Sequence, residues 1–225
     1  MNSNFQKGIL ILLSVFSSQV FAAASSQTSS DNHFYLGAML GATSVMDEES
    51  TNNPIYDKHT LGASGATGGL LAGYNYHLRH QWWLALEVFL NTARVNIADN
   101  QNYAPQSSYT VDLQGNGGIR ILPAYAFTSD TSGHLILGLA LANFKIKDTG
   151  NYGIISKTYS QSGFETGLGL DTALSQHVTL RGDVIYTSYA SMYANGVTIT
   201  VPAGIQNYRN NLSTLEANLS IIYNV

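Results

Sequence analysis

Alternation dominates this chain. Phe34, Leu36, Ala38 and Leu40 alternate with Tyr35, Gly37, Met39 and Gly41, and Ala72, Tyr74, Tyr76 and Leu78 with Gly73, Asn75, His77 and Arg79. The beat returns at Leu84–Asn91 and at Tyr109, Val111 and Leu113, continued by Ile119 and Ile121. It returns again at Leu135–Ala142, at Leu168 and Leu170, at Val178–Thr187, and at Leu215–Val225. Successive side chains of a strand face opposite sides, so a period of two means two faces meeting two different solvents.

These runs predict eight strands, each long enough for the ~9–11 residues that cross a bilayer at a tilt. The recurrent face is Leu, Val, Ile and Tyr. The other is Gly, Ala and Asn, with a charge at most strand centres. A soluble sandwich would put bulky groups in its core and many Lys and Glu outside. Apolar outward with polar inward is the pattern of a lipid-embedded barrel. Hydrocarbon offers backbone groups no partner, so such a sheet must close on itself. No later segment approaches the ~18 consecutive apolar residues of a membrane-spanning helix. The expected fold is all-β: a closed, antiparallel, eight-stranded up-and-down transmembrane β-barrel.

Connections alternate in length. Short ones fall at Arg79–Gln81, Thr128–Gly133 and Ser175–His177, and long ones at Val45–Gly65, Val95–Gln106, Asp148–Thr158 and Ala190–Asn211. Tight periplasmic turns and long extracellular loops are expected, with both termini periplasmic. Tyr76, Trp82, Trp83, Tyr125, Phe127 and Tyr223 fall near the short-turn end. Tyr103, Tyr109, Tyr159, Tyr186 and Tyr189 fall near the other. Their amphipathic rings suit two headgroup-level girdles, of which Tyr76, Trp82, Trp83, Tyr125, Tyr186 and Tyr223 are the principal candidates.

Composition sharpens this. Only 11% of the 225 residues are charged, against roughly 25% in soluble domains. A net charge of -4 gives no reason to expect nucleic acid. The start reads as a secretory leader: Lys7, the apolar run Gly8–Phe16, then Val20-Phe21-Ala22 at a cleavage position. Residues 1–22 are therefore expected to be a signal peptide, 23–32 a polar linker and 33–225 the barrel. With no Cys, no lipidated variant of that leader is possible.

The stretch Gly167 to Tyr186, GLGLDTALSQHVTLRGDVIY, resembles the penultimate hairpin of small OmpA-like and opacity-type outer-membrane barrels, through Leu180, Arg181, Asp183 and Tyr186. Phe34-Tyr35-Leu36-Gly37 is similar to that family's first strand. The resemblance implies the fold and a cell outer membrane location, and says little about activity. The family usually ends in Phe or Trp, part of the insertion signal; this chain ends in Val225 behind an intact Leu219, Ile221, Tyr223 alternation.

Eight strands enclose room for side chains only. The expected lumen set is Glu87, Asp112, Arg120, Glu165, Asp171, Arg181, Asp183 and Glu216, which must pair to tolerate burial. It is read as a salt-bridge network, with a partner-swapping gate as the functional alternative. Catalytic, cofactor and metal residues are not expected. None of the six histidines is followed by Ser two residues on, as in a lipid A deacylase, and Ser25–Asn32 is no amphipathic helix, as a palmitoyl transferase has. His33, His77, His80, His134 and His177 map near the periplasmic rim, where they read as turn residues, or as a metal- or pH-sensing rim without ligand spacing.

Loops are then the expected working surface. The first is acidic (Asp47, Glu48, Glu49); the third carries Lys145, Lys147 and Lys157 around Asp148; the fourth holds Val197–Val201 before Pro202. The expected function is non-enzymatic: adhesion, host interaction or envelope integrity, by a monomer in outer-membrane lipid. The alternatives are a narrow gated pore and, more remotely, a lipid-modifying enzyme.

Overall fold

The computed structural model describes residues 32–51, 59–101, 107–150, 153–193 and 208–225. The leader, most of the linker, Tyr103 and the Val197–Val201 segment lie outside these.

The strands are β1 (His33–Thr51), β2 (His59–Arg79), β3 (Trp82–Ala93), β4 (Val95–Gln101), β5 (Ser107–Ala126), β6 (Thr131–Gly150), β7 (Gly153–Ala173), β8 (Val178–Tyr189), β9 (Met192–Tyr193) and β10 (Tyr208–Asn224). Only Arg94 separates β3 from β4, and β9 continues the course of β8 along β10, so the wall is crossed eight times. Every pairing is antiparallel. The sheet closes between its first and last strands, from Tyr35↔Asn224 to Thr51↔Tyr208. No edge remains to face lipid.

Alternation decides which side chains face outward. Leu36, Leu40, Leu86, Leu90, Leu137, Leu139, Leu168 and Ile221 are all exposed, forming the apolar belt. Residues one position away, such as Met39, Phe89, Ile136 and Ile185, fill the interior. Charged residues share that interior with them.

The strands run well beyond the expected boundaries. Strand β6 has 20 residues and β7 has 21, against the ~9–11 needed to cross. Most of the expected Val45–Gly65 and Asp148–Thr158 loops is therefore strand, projecting past the belt. Past the belt the outward positions turn polar, as at Asn143, Lys147 and Glu48, so the apolar-outward beat ends while the pairing continues. The short turns are as expected: β2 joins β3 through His80 and Gln81, with His80 at a φ of 56°.

Strand β5 carries the main departure. Its pairing with β6 shifts register between Leu113 and Gly115. A bulge of this kind adds a residue and reverses the facing of everything beyond it. Val111 and Leu113, expected on the lipid face with Ile119 and Ile121, point inward and are buried.

Candidate functional site

The lumen is the most elaborately built part of the molecule. Its centre is a ladder in which acid and base alternate. Arg120 donates from Nε to Glu165 Oε2 at 2.8 Å and lies 3.6 Å from Glu87. Arg181 reaches the same Glu87 carboxylate at 2.6 Å and, through Nε, Asp171 at 2.6 Å. His134 continues the run, its Nδ1 2.7 Å from Asp171 and its Nε2 3.0 Å from Asp183. Two carboxylates can both accept only from a doubly protonated ring. Tyr35 donates its hydroxyl to Glu87, and Thr187 to Glu165. Phe89 lies under the Arg120 guanidinium, 3.5 Å from Cζ to ring centroid.

Each member arrives by strand parity. Asp171 and Arg181 are cross-strand partners on β7 and β8, as are Glu87 and Arg120 on β3 and β5. Gly169 faces His134 across β6–β7, and a Cβ there would land on the His134 ring and the Asp183 carboxylate. The ring fits because that glycine has no side chain. Buried ions become tolerable only when paired this closely.

Glu216 stands apart. It is buried, and accepts from the side-chain amides of Asn116 at 3.0 Å, Asn91 at 3.3 Å and Asn218 at 3.4 Å, with no cation within salt-bridge distance among the described residues.

Above the ladder, toward the projecting strands, the interior turns apolar. Val45, Val95, Val111, Leu113, Phe144 and Leu212 are each at most 2% exposed, and Phe144 meets Tyr189 edge-on. These side chains pack together in one cluster inside the barrel. Below the ladder a cavity of about 120 Å³ lies at the short-turn end, lined by His33, Asn75, Trp83, His134, Asp171 and Arg181 among others.

Of the eight charged residues expected in the lumen, Glu87, Arg120, Glu165, Asp171, Arg181, Asp183 and Glu216 line it. Asp112 does not. The β5 bulge turns it to the outer wall, where Asn96 donates to it and Lys147 lies 3.9 Å away. Sequence reasoning missed His134 as a ladder member by placing it on the rim. The signal was present: Ile136, Ala140 and Ala142 all face inward, and one more step of two reaches His134.

The aromatic candidates divide. Tyr76, Trp82, Tyr186 and Tyr223 are exposed on the outer wall, and Tyr125 packs edge-on against Trp82 at 5.1 Å. Trp83 sits one residue out of phase and turns inward, 4.6 Å from the His77 ring at the mouth of the cavity. Tyr189, expected in the outer girdle, is buried inside, and Tyr159 packs against the interior cluster. Asp47, expected in an acidic loop, is buried too, while Glu48 is exposed.

Three further histidines are occupied locally. His33 Nε2 lies 3.1 Å from Asn75, His77 Nε2 meets the carbonyl of His80, and His177 stacks on Tyr223. Among the described residues, no three His, Cys, Asp or Glu side chains are grouped to hold a metal.

A family profile described as outer membrane protein beta-barrel domain matches residues 8–216. Among solved structures, the outer membrane protease OmpT of Escherichia coli is similar at 10% identity, over 92% of this chain and 100% of that one, with a TM-score of 0.50. OprG of Pseudomonas aeruginosa is 13% identical over 86% of this chain and 96% of that one, TM-score 0.49. Neisserial surface protein A is 14% identical over 86% and 98%, TM-score 0.43. No curated protein matches. At such identities the likeness concerns fold alone.

Proposed function

The chain belongs to the outer membrane protein beta-barrel domain family, and from that membership we propose a non-enzymatic surface-interaction protein, exported by the leader at 1–22. Its working parts are the strand ends and loops that project past the lipid belt, taken to face outward from the cell. Host surface molecules or envelope components are the partners, and the barrel acts as a monomer.

The observation that supports this reading is the ion-paired and packed interior. A ladder of paired ions occupies the middle, and Val45, Val111, Leu113, Phe144 and Leu212 pack together above it. Function is thereby displaced to the outside. His134 also argues against catalysis: both ring nitrogens face carboxylates, so neither is left to act as a general base toward a hydroxyl.

The test is conductance of the purified protein in a planar bilayer, together with binding to host cells. Silent bilayers, with binding lost when the β6–β7 hairpin tip is replaced by a short turn, support the reading. Steady channels that change with Arg181→Ala overturn it.

A gated pore is the second reading. It is favoured by Arg120 and Arg181 sharing Glu87, because partner exchange around one carboxylate is a plausible switch. Voltage- or pH-dependent openings in the same bilayers are its signature.

A further inference from the structure

The outer wall carries an asymmetry that neither the closed lumen nor a general surface role requires. On the β3–β6 side, the last apolar outward residues are Leu90 and Leu141, 73% and 65% exposed. Both flank Gly117 of β5. Two and four residues past Leu90 come Thr92 and Arg94, and two, four and six past Leu141 come Asn143, Lys145 and Lys147, all outward by parity. Register links them: Asn96 pairs with Asp112, Asp112 with Lys145, and Asn143 with Ser160. Four residues of strand rise about 13 Å along the chain, less in height because barrel strands tilt. The cations therefore stand at the edge of the hydrocarbon, where long basic side chains snorkel to the headgroups.

Their partners on the protein are few. Among the described residues Lys147 has one ion-pair contact, with Asp112 at 3.9 Å, whose other carboxylate oxygen accepts from Asn96. Arg94 and Lys145 have no ion pair among the described residues. Ser160 donates to Asn143 Oδ1, so the donor capacity of that side chain lies on its amide nitrogen. On the opposite wall the outward positions at this level are Ala42, Ser44, Met46, Ala66 and Ser188, with Glu48 above them, and none of these is basic; Arg209 of β10 stands higher still, paired with Ser50.

We propose that Arg94, Lys145 and Lys147, with the Asn143 amide, form a docking patch for the phosphate groups of anionic lipid in the leaflet around the projecting strands. Lipid is the partner because the patch adjoins the apolar belt: a bound molecule can place acyl chains on Leu90 and Leu141 while its phosphate meets the cations. A soluble anion would use only half of that surface.

Native mass spectrometry of the full-length folded protein in zwitterionic micelles tests this, with phosphatidylglycerol and phosphatidylcholine of identical chains as probes. Wild type should retain phosphatidylglycerol preferentially. Arg94→Gln and Lys145→Gln should each weaken that preference about fivefold, the size expected for one cation near a lipid surface. Arg79→Gln, an exposed cation at the short-turn end, should leave it unchanged. Heat-modifiable gel mobility checks that each variant is folded. Equal retention of the two lipids by wild type, or an equal loss in Arg79→Gln, overturns the proposal. So does inorganic phosphate displacing the lipid as readily from wild type as from Lys145→Gln.

Discussion

Arg181 holds the lower half of the ladder together. It is 5% exposed and bridges Glu87 and Asp171. Replacing it with Met leaves Glu87 with Arg120, 3.6 Å away, as its remaining cation and Asp171 with His134, and breaking a buried pair in this way costs about 3–5 kcal/mol. Chemical denaturation of the folded barrel in micelles should show that loss. The triple variant Arg181→Met, Glu87→Gln, Asp171→Asn should recover part of it, because neutral partners need no counter-ion. A single variant within 1 kcal/mol of wild type would mean that water, not Arg181, solvates those acids. Gly169→Ala addresses the same cluster through shape alone. Its Cβ lands on His134 and Asp183, and overpacking of this kind costs about 1–3 kcal/mol. The charged types in the lumen were legible from strand parity, but their partners were not. Nothing in sequence order says that His134, rather than a second Arg, stands between Asp171 and Asp183; only the closed ring of strands does.

Two elements show where strand-level reading holds and where it slips. Strand β6 keeps one phase throughout, so Leu137 and Leu139, 44% and 59% exposed, face lipid as the alternation implies. Leu137→Arg puts a charge near mid-belt and should destabilise the barrel by about 2–4 kcal/mol, whereas Lys147→Gln, beyond the belt, should change stability little. Strand β5 changes phase at its bulge, and that change moves Asp112 out of the lumen. A glycine-rich run, Gly115-Asn116-Gly117-Gly118, surrounds the shift, and apolar–polar lettering there reads the same in either phase. The chain has no Cys, so single cysteines report facing cleanly. Asp112→Cys should react with a water-soluble maleimide in the folded protein, and Val111→Cys and Leu113→Cys should resist it. The reverse order would place the bulge elsewhere. The extent of β6 and β7 was illegible for a related reason. Past the belt the outward positions of β6 turn polar, as at Asn143 and Lys147, while Phe144 packs inside, so an apolar-outward rhythm stops although the pairing does not.

At the scale of the whole molecule, closure couples everything. The seam between β1 and β10 joins residues at opposite ends of the chain, from Tyr35↔Asn224 to Thr51↔Tyr208, and every other pairing is completed by it. Contacts so distant in sequence form late and slowly, because loop closure must precede them. The eight-strand count and the even return of both termini were legible because each strand announces itself locally; the seam, being non-local, has no letter of its own. Gly41 packs closely against the partner strand of that seam. A Cβ there would land on the Ala217 carbonyl and the Asn218 side chain of β10. Gly41→Val should therefore hold the seam apart in mid-wall, leaving unpaired backbone groups facing hydrocarbon. Unboiled wild type should run as a compact band that shifts on heating, and Gly41→Val should lose most of that band. Leu40→Ala, which trims the lipid-facing neighbour, should keep it. A compact band in Gly41→Val would show that β1 and β10 can meet in another register, and the lumen ladder built on this one would have to be redrawn.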